Sequence, residues 1–238
     1  MGCRRSLVML TAALTALVTG GASPAGAVVA SPHEVAFWAM NEPRGATRMI
    51  DSTGHGLDGR IGDEVGTGMP AESDRGYRFE RLEPDTPPAR PGHLVRVPHH
   101  PALNPGSRNF AVTLRLRTTN KFGNIIQKGQ ATVPGGSFKI QIPNGRVECT
   151  YRGSNGTMEL FAPYRINDGR WHVVKCMRVR AGVALIIDGR LAASRAGWTG
   201  PIANTWPVTI GGKIDCDQVK VGCDYYAGDL DYVLIEAA

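Results

Sequence analysis

The sequence predicts an all-β protein, a sandwich or a barrel. Three observations carry this. Short segments alternate apolar and polar residues with a period of two, as strands with one face on a core do. Between them lie the turn dipeptides Asn144-Gly145, Asn155-Gly156, Asp168-Gly169 and Asp188-Gly189, each favouring the positive φ angles of two-residue hairpins. Glycine (30) and proline (16) are frequent among the 238 residues, and no amphipathic helical pattern of useful length appears. Many short strands with regular turns close as a sandwich or a barrel.

From the N-terminus, the first segment reads as an address rather than as structure. Arg4 and Arg5 precede an apolar run over residues 7–18, and Ala25-Gly26-Ala27 offers a small-x-small cleavage site. This predicts a secretory signal peptide over residues 1–27 and a secreted product; the run is too short for a transmembrane helix. Cutting after Ala27 turns 238 residues into 211. It removes Arg4 and Arg5, taking the charge from +6 to +4, and removes Cys3, taking five cysteines to four. Residues 28–238 then form one domain, long enough to bury a core without a metal. Residues 62–107 are irregular and Pro-rich, with short strands expected at 77–80 and 93–97, and read as loops over the sandwich. Val112, Leu114 and Leu116 share one face of a strand, with Thr113, Arg115 and Arg117 on the other. Phe138, Ile140 and Ile142 alternate with Lys139 and Gln141. Val183, Leu185 and Ile187 run into the Asp188-Gly189 turn, residues 190–193 return from it, and residues 230–236 make the last strand.

Several stretches, in order, resemble a known family. Phe37-Trp38, Glu42, Asp51-Ser52-Thr53-Gly54 and Gly59-Arg60-Ile61 look like an opening strand and its turn. Val97-Pro98, Leu103-Asn104-Pro105, Phe110-Ala111-Val112 and Ile125-Ile126-Gln127-Lys128-Gly129 follow. Then come Asp168-Gly169-Arg170-Trp171-His172-Val173-Val174, Leu185-Ile186-Ile187-Asp188-Gly189, Ile210-Gly211-Gly212 and Tyr226-Ala227-Gly228-Asp229-Leu230-Asp231-Tyr232-Val233. Together they resemble the laminin-G-like jelly rolls of the concanavalin A-like lectin/glucanase superfamily, from about Val35 to Ile235. The resemblance implies an antiparallel two-sheet β-sandwich, the concanavalin A-like jelly roll. It implies no reaction, because function belongs to sites rather than folds.

Four cysteines in an exported chain predict two disulfides, and three pairings are open. On this fold Cys149–Cys176, on strands expected to be neighbours, and Cys216–Cys223, bracketing a short polar loop, are favoured as sequential and local. A zinc site is the poorer reading, since no Cys-x2-Cys pair or matching His spacing exists.

Candidate chemistry is sparse. No HExxH, P-loop or dinucleotide fingerprint occurs. Glycanases of the superfamily place two carboxylates on one strand. Asp229 and Asp231 approach that spacing, but neither matches a catalytic position, so no enzyme activity is expected. His99-His100 reads as a solvated pair and His172 as a packed strand histidine. No cofactor is required. The resemblance implies a structural calcium held by Glu42, Asp51 and Asp231; the competing reading has Asp51 capping its own turn and Asp231 paired with an arginine or a backbone amide.

Sugar rings stack on exposed aromatics while their hydroxyls demand polar partners. Tyr151, Tyr164, Trp198, Trp206, Tyr225 and Tyr226 are aromatic candidates, with Arg152 and Asn155 close in sequence. Trp198, Tyr151, Arg152, Tyr164 and Tyr225 are selected as the carbohydrate site. Trp198, between Gly197 and Thr199-Gly200, is the leading exposed ring, while Trp38 and Trp171 are assigned to the core. A charge of +4 without a Lys/Arg cluster is not a nucleic-acid footprint. The expected protein is a secreted, monomeric, lectin-like module binding an extracellular or cell-wall glycan. The alternatives are an extracellular protein–protein adhesion module and, third, a glycoside hydrolase or lyase.

Overall fold

The computed structural model describes residues 33–72, 74–216 and 223–238. The expected signal peptide lies outside the described residues. In chain order the strands are β1 (His33–Trp38), β2 (Arg48–Met49), β3 (Gly59–Ile61), β4 (Val65–Pro70), β5 (Arg75–Phe79), β6 (Val95–Val97), β7 (Phe110–Arg117) and β8 (Asn124–Lys128). They continue as β9 (Ser137–Gln141), β10 (Glu148–Gly153), β11 (Gly156–Phe161), β12 (Trp171–Val179), β13 (Gly182–Ile187), β14 (Arg190–Ala196), β15 (Val208–Ile210) and β16 (Gly228–Ala237). Two sheets result. The first runs β14-β13-β12-β7-β16-β5-β4, with β1 also on β16; the second runs β11-β10-β9-β8-β15-β6-β3-β2. All the strand pairings are antiparallel. The fold is the expected two-sheet sandwich.

The alternation decides which face each strand buries. On β7, Val112, Leu114 and Leu116 are sealed in the core, while Thr113, Arg115 and Arg117 face out half-exposed. On β9 and β10, Phe138, Ile140, Cys149 and Tyr151 point inward from the second sheet. The Asp188-Gly189 turn joins β13 to β14 with φ of 51° and 76°, the double left-handed geometry of a type I′ hairpin.

Two expectations about turns and strand limits change. Asp168-Gly169 is a turn but not a hairpin, because β11 and β12 lie in different sheets. Its Asp168 carboxylate instead accepts from the Arg170 N–H at 2.9 Å. Strand β4 falls inside the stretch read as irregular, since Val65-Gly66-Thr67-Gly68-Met69 lacks the clean alternation that marks a half-buried strand.

Both expected disulfides are present. Cys149 and Cys176, however, are not neighbours within a sheet. Cys149 is on β10 and Cys176 on β12, so the bond crosses the core and ties the sheets together.

His172 is not a core residue. Its Nδ1 lies 2.8 Å from an Asp188 carboxylate oxygen and its Nε2 3.1 Å from Asp168, so the imidazole bridges two turns. Burial pulls its pKa down, but the hydrogen bonds and charges of Asp188 and Asp168 outweigh that and raise it above the ordinary 6.5. The folded state therefore holds this proton more tightly than the unfolded chain does. Its stabilisation is complete below pH 6.5 and is lost as pH rises through the raised folded value. Urea titrations of the wild type between about pH 6 and pH 8 should show this loss, and His172→Gln should flatten it. An unchanged pH slope in that variant would discount the bridge.

Candidate functional site

The half-exposed outer face of the first sheet carries a row of direct cross-strand partners: Arg78 on β5, Asp229 on β16, Arg117 on β7 and Trp171 on β12. Asp229 is the hub. Its carboxylate accepts from Arg78 Nε at 2.7 Å and from Arg117 Nη2 and Nε at 2.6 and 3.0 Å. The Arg117 guanidinium also stands over the Trp171 ring, 4.7 Å from its centroid. Trp171 is therefore a half-exposed outer-face residue, not the core residue expected. Strand parity carried that signal: Val174 and Cys176 face inward, so 171, 173 and 175 face outward.

Beyond this row, the strand ends open into a cleft with two lobes. The smaller, about 370 Å3, is lined by Arg78, Glu80, Arg117, Thr118 and Asp229, among others. The larger, about 600 Å3, is lined by Leu82, Pro87, Lys121, Phe122 and Tyr225, among others. Arg81, Thr119, Asn120 and Ala227 line both, so the lobes meet. The Thr118 hydroxyl donates to the Ala227 carbonyl at 2.6 Å and accepts from the Asn120 N–H at 2.9 Å, fixing the loop that follows β7. Phe122 next on that loop is 42% exposed, enough to offer a ring face. The lining thus pairs a flat apolar surface with donors and acceptors. Sequence reading passed over Phe122; a lone aromatic in the polar stretch Thr119-Asn120-Lys121-Phe122-Gly123 was the available signal.

The five residues selected from sequence do not gather. Tyr151 is fully buried and its hydroxyl donates to the Cys176 carbonyl at 3.0 Å, so it is a core residue that no sugar reaches. Arg152 is spent on backbone, its Nη2 donating to the Gln130 and Val133 carbonyls. Trp198 is half-buried, with one face covered by the Arg178 guanidinium at 4.7 Å. Tyr164 is exposed, in the stretch after β11. Tyr225 does line the larger lobe, but as a 9% exposed wall: its ring meets His93 edge-on and its hydroxyl accepts from the Arg90 N–H. Burial raises the pKa of that hydroxyl. Of the remaining aromatics, Trp206 is half-buried and Tyr226 is buried, its hydroxyl donating to the Arg117 carbonyl at 3.2 Å. The Asn155 N–H donates to the Thr199 carbonyl at 2.8 Å.

Glu42, Asp51 and Asp231 each have partners within the chain. Glu42 accepts from the Ile50 N–H at 2.8 Å and from the Tyr77 hydroxyl. Asp51 accepts from the Thr53 hydroxyl at 2.7 Å and from the N–H groups of Phe37, Thr53 and Leu57. Burial pushes the Asp51 pKa up, but these donors hold it below the ordinary carboxylate value. Asp231 pairs with Arg115 at 2.8 Å. Among the described residues, no three His, Cys, Asp or Glu side chains gather as metal ligands. The capping and pairing read from sequence as the competing account is what the geometry contains.

No curated protein matches the chain in sequence. Residues 116–232 match the laminin G domain family. Among solved structures, the chain is similar to domain 4 of AbnA, a GH43 extracellular arabinanase from Geobacillus stearothermophilus, solved with arabinotriose. The TM-score is 0.62 and the identity 14%, over 87% of this chain and 93% of that one. It is also similar to the binding domain of Paraclostridial Mosquitocidal Protein 1 (TM-score 0.60, 11% identity, 86% and 47% covered) and to that of Botulinum neurotoxin serotype D (0.58, 13%, 86% and 46%). The chain spans about half the length of those two toxin domains. At these identities the likeness concerns the fold. With the family match over residues 116–232 and two antiparallel sheets closed on one core, the chain has a laminin-G-like jelly-roll fold.

Proposed function

We propose that this chain is a non-catalytic carbohydrate-binding module that takes an extracellular or cell-wall glycan in the two-lobed cleft. The observation that carries the reading is the lining: the exposed Phe122 ring with Thr119 and Asn120 in the larger lobe, and Arg117 and Asp229 in the smaller lobe that joins it. A pyranose presents an apolar face and a ring of hydroxyls, and this lining answers both. The carboxylates nearest a glycanase pattern, Asp229 and Asp231, are engaged by arginines rather than set apart as acid and nucleophile. A jelly roll of the same shape, domain 4 of AbnA, was solved with arabinotriose. The two disulfides suit an exported protein, and among the described residues no helix is long and apolar enough to cross a membrane.

The test is a glycan array probed with and without a calcium chelator. Binding to a defined glycan is expected in both conditions, with an unchanged thermal midpoint on chelation, because Glu42, Asp51 and Asp231 are already engaged by the chain's own donors. Phe122→Ala and Asn120→Ala should each weaken that binding about tenfold, the loss of about 1.4 kcal/mol that one stacking or hydrogen-bonding contact supplies. A well-folded protein that binds no glycan sinks the reading.

A second reading, protein–protein adhesion, is favoured by one observation. Phe37, Leu234, Thr113, Lys175, Ile186 and Leu191 form one cross-strand row on the outer face of the first sheet, and Leu191 is 65% exposed. An array without hits, together with a protein ligand lost on Leu191→Asp, would move the function to that face.

A further inference from the structure

The outer face of the second sheet carries a basic feature that the proposed cleft does not use. Arg60 on β3 and Arg96 on β6 are direct cross-strand partners. Their neighbours Ile61 and Val95 are buried in the core, so both arginines turn to the opposite face. Side chains so placed have Cβ atoms about 4.5–5.5 Å apart, and like charges directly opposite destabilise a sheet. A sandwich normally relieves such a pair with a carboxylate. Arg48, next in the row through its pairing with Arg60, is relieved in this way by Asp58. Arg60 and Arg96 form no ion pair among the described residues. The nearby Glu64 is bonded to Arg90 instead, at 2.8 Å. The Arg96 Nε is also buried without a hydrogen-bond partner, a donor left unused at a real desolvation cost.

Both arginines line a cavity of about 610 Å3, walled also by Thr47, Gly62, Asp63 and Gly92. Two guanidiniums side by side present planar forks of N–H donors, the geometry that matches pairs of oxygens on one tetrahedral centre. Asp63 on the same wall takes away one unit of positive charge and supplies an acceptor for a ligand hydroxyl.

We propose that Arg60 and Arg96 form a clamp for a tetrahedral oxyanion, a phosphate or sulfate group, carried on a ligand seated in this cavity. The bound anion replaces the missing carboxylate: it removes the like-charge repulsion and gives the Arg96 donor an acceptor. This site is separate from the glycan cleft, so either can stand without the other.

The full exported chain would be titrated with sodium phosphate, sodium sulfate and sodium chloride at constant ionic strength, following the thermal midpoint and the arginine side-chain NMR signals. Glucose 6-phosphate and glucose 6-sulfate form two further arms. Phosphate, sulfate or both should raise the midpoint and shift the signals of Arg60 and Arg96, where chloride does not. Sulfate also stabilises proteins by exclusion from their surface, so the comparison that decides is with the variants. Arg60→Gln and Arg96→Gln should each weaken binding at least tenfold. Arg60 is exposed, so its variant keeps the test valid if Arg96→Gln fails to fold. Response to one sugar ester alone identifies the anion carried by the ligand; response to both supports the clamp for either. Equal responses of the wild type and Arg60→Gln, or an equal effect of chloride, would overturn the proposal.

Discussion

Replacing Arg178 with Met is expected to cost about 3–5 kcal/mol in urea unfolding, a large part of what holds a domain of this kind together. Arg178 lies on β12 and points inward, fully buried, and among the described residues no acid pairs with it. Backbone carbonyls neutralise it instead. Its Nη2 donates to the Gly106 and Arg108 carbonyls at 2.8 and 2.7 Å, and its Nη1 to the Gly200 carbonyl at 2.9 Å and the Thr199 hydroxyl at 3.2 Å. Trp198 covers the flat side of the guanidinium. One side chain therefore pins two separate loops to the end of the sandwich. Met would fill much of the volume but leave those acceptors buried and unpaired, each costing about 1–3 kcal/mol. Arg178→Lys keeps the charge but cannot reach two loops with one ammonium, so its loss should fall between the two. An Arg178→Met protein within about 0.5 kcal/mol of wild type would show that the guanidinium is not the clasp.

Removing the Cys149–Cys176 bond as a double Ala variant should cost about 3–4 kcal/mol, by the entropy returned to an unfolded chain no longer closed over a separation of 27 residues. Cys216–Cys223 closes a separation of only 7, so its removal should cost about 1 kcal/mol less. Location widens the gap. Cys149 and Cys176 are buried between the sheets, and the Tyr151 hydroxyl reports on the same place through its bond to the Cys176 carbonyl. Denaturant midpoints of the two double variants measure the order directly, and a larger loss for the Cys216–Cys223 variant would contradict it. Arg178 sits two residues beyond Cys176 on the same inward face, so the combined variants should depart from additivity.

Much of the fold was legible because strand periodicity is a local property. Val112, Leu114 and Leu116 against Thr113, Arg115 and Arg117 state which face is buried whatever partner the strand finds. The Asp188-Gly189 hairpin was readable for the same reason, since its two positive φ angles depend on two adjacent residues. Asp168-Gly169 has the same chemistry but leads from one sheet to the other, which no dipeptide encodes. The candidate site was hardly legible. Tyr151 and Trp171 exchanged roles: the residue chosen to meet a sugar is in the core, and the residue assigned to the core lies on the outer face under Arg117. Parity along β10 and β12 would have sorted both, because Cys149 and Cys176 fix the inward face of each strand.

The sequence by itself determined the all-β class, most strand faces and the main hairpins. Each follows from spacing along the chain and from the conformational preferences of single residues. Only the tertiary structure decided which distant side chains meet. Arg78, Asp229, Arg117 and Trp171 come from four strands and form one row only because β5, β16, β7 and β12 pair in that register. Arg48, Arg60 and Arg96 form no cluster in the sequence, yet lie side by side on adjacent strands. Register is set by packing the whole apolar pattern at once, so the chemistry of either face exists only after the sheets have closed.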